Sequence, residues 1–264
     1  MTVSHAIVEL SKASWRVLRR YPRLVWFPLL SMATILTIAL IIAPIVAPTH
    51  DEPSWLLMFV ILSATYLTHT FYNVALTSQA LKALRGDAPS VTSGLTCATE
   101  RLPAIASFAA ITGTFGFLLA MIGRSRATAI KIAQALVSTA WSLATYLAIP
   151  VMVQERRGGL TSLRRSSDLF RRTWGETTLS EVGMRVLTVH LTWILALVVY
   201  LIIDLFGDSF GVVLAFALVI AAVAVISALE AIYRSALYVF AAEGVIPEPF
   251  DGPELQDIWK TKAE

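Results

Sequence analysis

The chain has 264 residues, of which 56% are hydrophobic and 15% charged, and its mean hydropathy is +0.70. A soluble domain solvates its surface with about 25% charged residues, so this composition excludes an ordinary soluble protein and points to a polytopic membrane protein. Lys and Arg exceed Asp and Glu by 21 to 18, too small a surplus to imply nucleic acid, and one cysteine, Cys97, excludes an internal disulfide and a Cys-rich metal site.

Residues 1–23 read as a basic amphipathic helix. Val3, Ile7, Leu10, Val17 and Leu18 fall on one side, and His5, Lys12, Arg16 and Arg19 on the other, the 3.6-residue period of a helix lying at an interface. Arg16, Arg19 and Arg20 are candidate contacts for anionic headgroups. The apolar block that follows is too long for a signal-peptide core, so it is expected to remain as an anchor.

A bilayer core of about 30 Å needs about 20 apolar residues in a helix. Six blocks meet this length: 24–47, 54–80, 104–122, 130–153, 182–206 and 211–242. The fourth is the least apolar, since it opens with Lys131 and Gln134, and it spans if Lys131 reaches back to the surface. The expected fold is therefore an all-α polytopic bundle of six spanning helices, residues 24–242. Amphipathic interfacial helices are expected near 90–101 and 160–174, and an acidic tail over 243–264.

Lys and Arg favour cytoplasmic loops. They are dense before the first block, between the second and third (Lys82, Arg85, Arg101) and between Arg156 and Arg172, and they are missing from "PTHDEPS" and "DLFGDSFG". Both termini are thus expected in the cytoplasm. The loop "GRSRATAIK" dissents, with Arg124, Arg126 and Lys131 on the expected outer side, which leaves a re-entrant third and fourth block as the alternative.

The stretches "SWRVLRRYPRL", "LTCATERLPAI" and "SSDLFRRTWGE" each precede a pair of apolar blocks. They read either as a threefold repeat or as the common outcome of positive-inside pressure and helix-breaking Pro and Gly. In the third, Leu163, Phe170 and Trp174 share a narrow stripe opposite Arg164, Arg165, Asp168, Arg171 and Arg172. Those aromatic and aliphatic residues are expected to anchor the helix among acyl chains or on the mouths of other helices. The four arginines are expected to face phosphates and water, each worth roughly 1 kcal/mol near an anionic leaflet.

Polar residues inside apolar blocks need a partner, a cavity or an edge. His69 and Asn73 share a helical face four residues apart, and Glu230 and Arg234 have the spacing of an ion pair. If their helices converge with His190, these five residues form a candidate polar path; otherwise they are packing contacts. Gln79 is a further polar residue in the second block.

No P-loop, dinucleotide glycine motif, HExxH, GxSxG or CxxC pair occurs, so no enzyme activity, cofactor or metal is expected. The partners expected are membrane lipids with anionic headgroups and a second copy of the chain through the small-residue face of Ala217, Ala221 and Ala224. The reading is a non-enzymatic membrane-organising or interaction protein, with an oligomeric channel or transporter as the alternative.

The run "STAWSLATYLAIPVMVQERRG" followed by "RSSDLFRRTWGE" resembles a prokaryotic family of six-span membrane proteins known only as a domain of unknown function. It is loosely similar to the membrane domain attached to some glycerophosphodiester phosphodiesterases. The resemblance implies a bacterial or archaeal inner-membrane location and brings no activity with it.

Overall fold

A computed structural model describes residues 3–46, 55–123, 128–174 and 208–252. Every regular element among them is helical: α1 (Val3–Arg20), a 3₁₀ turn (Pro22–Val25), α2 (Trp26–Val46), α3 (Trp55–Leu84), α4 (Val91–Glu100), α5 (Leu102–Gly123), α6 (Thr128–Tyr146), α7 (Ala148–Gln154), α8 (Gly159–Trp174) and α9 (Asp208–Glu243). The fifth apolar block, with His190, lies outside the described residues.

Four stretches are helical, long and apolar enough to cross a membrane: Pro22–Ile42, Leu102–Leu119, Thr128–Gln154 and Gly211–Glu243. The fourth expected block, with its polar opening, is therefore among them. α6 alone, with 19 residues, extends about 28 Å at 1.5 Å per residue. Gln134 donates its Nε2 to the Leu119 carbonyl at 2.9 Å and Trp141 stacks on Phe115 at 3.8 Å, so one of the two residues that weakened its apolar signal helps to join α6 to α5.

Burial is uneven along the helices. The core gathers at one end, where Leu24 of the 3₁₀ turn, Phe27 of α2, Leu76 and Leu81 of α3, Ile105 of α5, Met152 of α7 and Ile232 and Leu237 of α9 are fully buried. Toward the other end large apolar side chains point outward, among them Leu40, Ile41, Leu62, Phe117, Leu136, Val213 and Phe216. Water would penalise such continuous apolar surface, whereas hydrocarbon does not. Helix length and outward-facing apolar residues together are those of a membrane protein.

The short helices collect at the buried end. α1 lays Leu10, Ala13, Val17 and Leu18 inward and packs on α9. α4 starts where the fully buried Gln79 accepts a hydrogen bond from the Ser90 amide at 3.0 Å; the polar residue of the second block thus caps a neighbouring helix. Gly94 of α4 faces the Phe27 ring so closely that a Cβ would stand 2.5 Å from its Cζ. The backbones can approach here because the residue is glycine.

α6 breaks before α7 for a chemical reason. Pro150 has no N–H to give the Tyr146 carbonyl, and it disfavours helical backbone in the residue before it. The Leu147 amide, which has left the α6 ladder, donates instead to Ser166 Oγ of α8 at 3.0 Å. A broken spanning helix and a surface helix are thereby tied at one hydroxyl.

Candidate functional site

α8 carries the densest charge of the described chain, and its inward face is wider than the apolar stripe alone suggests. Ser162 and Ser166 are fully buried beside Leu163, Leu169, Phe170 and Thr173. Gly159 gives its amide to Ser107 Oγ of α5 at 3.2 Å, and a Cβ there would lie 2.6 Å from that oxygen and 2.8 Å from Phe108 Cα. Leu163 and Phe170 are 6% and 5% exposed. They pack against the bundle, the second of the two settings expected for this face; of the Trp174 side chain the structure gives no description.

The outward face separates four arginines into two pairs. Arg165 donates Nε to Glu155 Oε1 at 3.1 Å and lies 3.7 Å from Asp168. Glu155 also receives Arg157 Nε at 2.7 Å and the Tyr238 hydroxyl at 3.5 Å. Arg172 donates Nε to Asp168 Oδ1 at 2.9 Å. Arg164 and Arg171, by contrast, have no carboxylate within ion-pair distance among the described residues.

Both unpaired arginines border a groove of about 720 Å³. Ile111 of α5, Trp141 and Ala144 of α6, and Leu160 and Leu163 of α8 supply apolar walls; Arg164, Arg171 and Arg172 supply the basic ones. The concavity arises because α8 lies across α5, α6 and α7. A groove with cationic and apolar sides can take an amphipathic anion, the charged end on guanidinium groups and the apolar part on Trp141 and Ile111.

The N-terminal cations are placed differently. Arg16 donates to the Pro249 carbonyl at 3.3 Å, Arg20 sits over the Tyr21 ring at 5.5 Å, and Arg19 is exposed. A second charged cluster closes the same end of the bundle. Arg85, in the turn after α3, meets Glu243 of α9 at 2.7 Å, and with its amide oxygen turned to Arg85, Gln154 of α7 accepts at 2.8 and 3.0 Å.

The polar residues of the apolar blocks form local groups. Asn73 donates Nδ2 to His69 Nε2 at 2.9 Å and to the His69 carbonyl at 3.2 Å. Glu230 and Arg234 form an ion pair within α9, and Arg234 lies over the Tyr146 ring at 5.1 Å. His69 is within electrostatic range of both. Tyr146 carries no sequence signal for this role, since a tyrosine at the end of a spanning helix is ordinary. Among the described residues no group of three His, Cys, Asp or Glu converges to hold a metal.

Helical architecture, four candidate spans and a basic face at one end define the class: a polytopic α-helical membrane protein. Residues 53–247 match a family of unknown function (DUF6159), and the chain belongs to that family. α8 and its groove fall inside the matched region, and α1 and α2 outside it. No curated protein and no solved structure matches the chain.

Proposed function

We propose that the protein is a non-catalytic, multipass protein of a prokaryotic inner membrane that holds anionic lipid headgroups on α8 and serves there as an interaction or membrane-organising component. The reading counts six spans: the four described, α3, and the apolar block 182–206. Both termini, with α1, α4 and α8, are on the cytoplasmic side, in keeping with the distribution of Lys and Arg. The likeness of residues 138–176 to a membrane domain attached to glycerophosphodiester phosphodiesterases belongs to the same reading and adds a lipid setting without a reaction.

What supports the proposal is that Arg164 and Arg171, which no carboxylate among the described residues pairs, stand beside apolar walls. A phospholipid presents the complementary order, phosphate outside and hydrocarbon inside, and each guanidinium can bind phosphate through two parallel N–H groups. At roughly 1 kcal/mol per cation, losing both lowers headgroup affinity more than tenfold. The test is phosphatidylglycerol retention against phosphatidylcholine by the purified protein, measured by native mass spectrometry. Wild type retains the anionic lipid, and the double variant R164Q/R171Q retains both lipids equally; undiminished selectivity in the variant refutes the proposal.

The second reading, an oligomeric channel or transporter with a path along His69, Asn73, His190, Glu230 and Arg234, draws on the proximity of His69 to the α9 ion pair. It ranks second because Glu230 and Arg234 neutralise each other within one helix, as a packing pair does. Solute or ion flux into proteoliposomes, absent in empty vesicles, would raise it above the first.

A further inference from the structure

Hydroxyls in the helices of this protein follow a common habit. Thr34, Thr37, Thr70, Thr112, Thr139, Thr145 and Ser235 each donate to the carbonyl four residues earlier, at 2.7 to 3.0 Å. Ser31 of α2 departs from it. The residue is 5% exposed and its Oγ has no hydrogen-bond partner, although the Phe27 carbonyl stands one turn back. Leaving such a hydroxyl unsatisfied costs about 1–3 kcal/mol, so a buried orphan calls for something beside it.

Ser31 opens on a pocket of about 120 Å³ between α2, α3 and α9. Its other polar wall comes from His69, Asn73 and Ser227, and most of the remainder is apolar, with Met32, Ile35 and Val223 contributing. Asn73 spends its amide N–H on His69, and among the described residues no donor meets its Oδ1 and no partner meets the Ser227 hydroxyl. The wall thus offers a hydroxyl and an amide oxygen that the protein does not use.

Chemistry narrows the occupant. No Lys, Arg, Asp or Glu lines the pocket, so a charged ligand would lose its hydration with no counter-charge to meet it. Water needs two to four polar partners per molecule, and a mostly apolar wall supplies few. An apolar cavity of about 150 Å³ accepts benzene, and this smaller pocket sets the ligand at roughly five or six non-hydrogen atoms.

We infer that this pocket binds a small uncharged molecule with an apolar body and one hydroxyl group, which is hydrogen-bonded by Ser31 and Asn73. The site is separate from the α8 groove and does not depend on the lipid reading. Its position between spanning helices gives it to molecules that partition into the bilayer.

The test uses the full chain in nanodiscs with 2,2,2-trifluoroethanol as probe and 1,1,1-trifluoropropane as its hydroxyl-free control, followed by fluorine NMR. The expected result is saturable one-to-one binding of trifluoroethanol above the level of protein-free nanodiscs, with trifluoropropane at least tenfold weaker, because a polar wall rejects the analogue that leaves it unpaired. Ser31→Ala weakens trifluoroethanol about fivefold, the loss of one hydrogen bond, and leaves trifluoropropane unchanged. Ser227→Leu fills the space and abolishes both. Binding no greater than in protein-free nanodiscs, as a pocket holding water alone would give, or an unchanged preference in Ser31→Ala overturns the inference. Ser31→Ala removes one oxygen and preserves packing, so it decides the matter even if Ser227→Leu fails to fold.

Discussion

α1 and α8 are written in the same grammar, each closing on two arginines and each with an apolar face, yet they meet different surroundings. α1 lies along α9 and three of its cations are absorbed locally, Lys12 by Glu9 at 2.6 Å, Arg16 by the Pro249 carbonyl and Arg20 by the Tyr21 ring, while Arg19 is exposed. α8 crosses three helices, and the crossing leaves a groove that two unpaired arginines border. What separates the two helices is the concavity beside α8, contributed by α5 and α6, and the proposed lipid reading rests on it.

Phe170→Ala should strike this comparison hardest. If α8 is held by protein packing, the truncation costs about 3 kcal/mol or more; a side chain immersed in lipid would lose far less. Thermal unfolding in detergent, with a marked fall for Phe170→Ala and little change for the half-exposed Val8→Ala of α1, checks it. Gly159→Ala comes next, at about 1–3 kcal/mol of overpacking against Ser107 and Phe108, and should also lift α8 enough to weaken lipid selectivity. The opposite outcome, full stability with unchanged selectivity, would mean that α8 does not need its close seat on α5.

A smaller effect is expected on the other side of the comparison. R16Q/R19Q in α1 removes two cations that lie outside the α8 groove, so phosphatidylglycerol preference should change less than threefold, against more than tenfold for the α8 pair. Smallest is Arg156→Gly. Arg156 adopts φ 52° after α7, a left-handed conformation that costs a non-glycine residue about 1 kcal/mol, so glycine there should raise stability by up to that amount in the same unfolding assay.

The helical class and the membrane setting were legible because they rest on composition and on periods of 3.6 residues that many side chains repeat. The inner face of α8 was half legible. Leu163 and Phe170 stood out, whereas Ser162, Ser166 and Thr173 read as polar although they are buried, since a hydroxyl can be satisfied by a backbone group that no linear pattern reveals. The division of the arginines was hidden for a related reason. Arg165 is engaged by Glu155, ten residues earlier and beyond a helix break, and only the fold brings them together. Local spacing did foretell two contacts, Asn73 with His69 and Arg234 with Glu230, because four residues on a helix fix the geometry. Tyr146 and Ser31 gave no such signal, as both depend on helices distant in sequence.

The most direct measurement sets the groove arginines against those engaged by Glu155. Native mass spectrometry of R164Q/R171Q and R157Q/R165Q, each with equimolar phosphatidylglycerol and phosphatidylcholine, compares variants that lose the same charge at the same end of the bundle. The account predicts that R164Q/R171Q loses its anionic preference while R157Q/R165Q, whose arginines are engaged by Glu155 and do not line the groove, keeps most of it. Equal loss in both would reduce α8 to a diffuse basic surface and contradict the groove as a site.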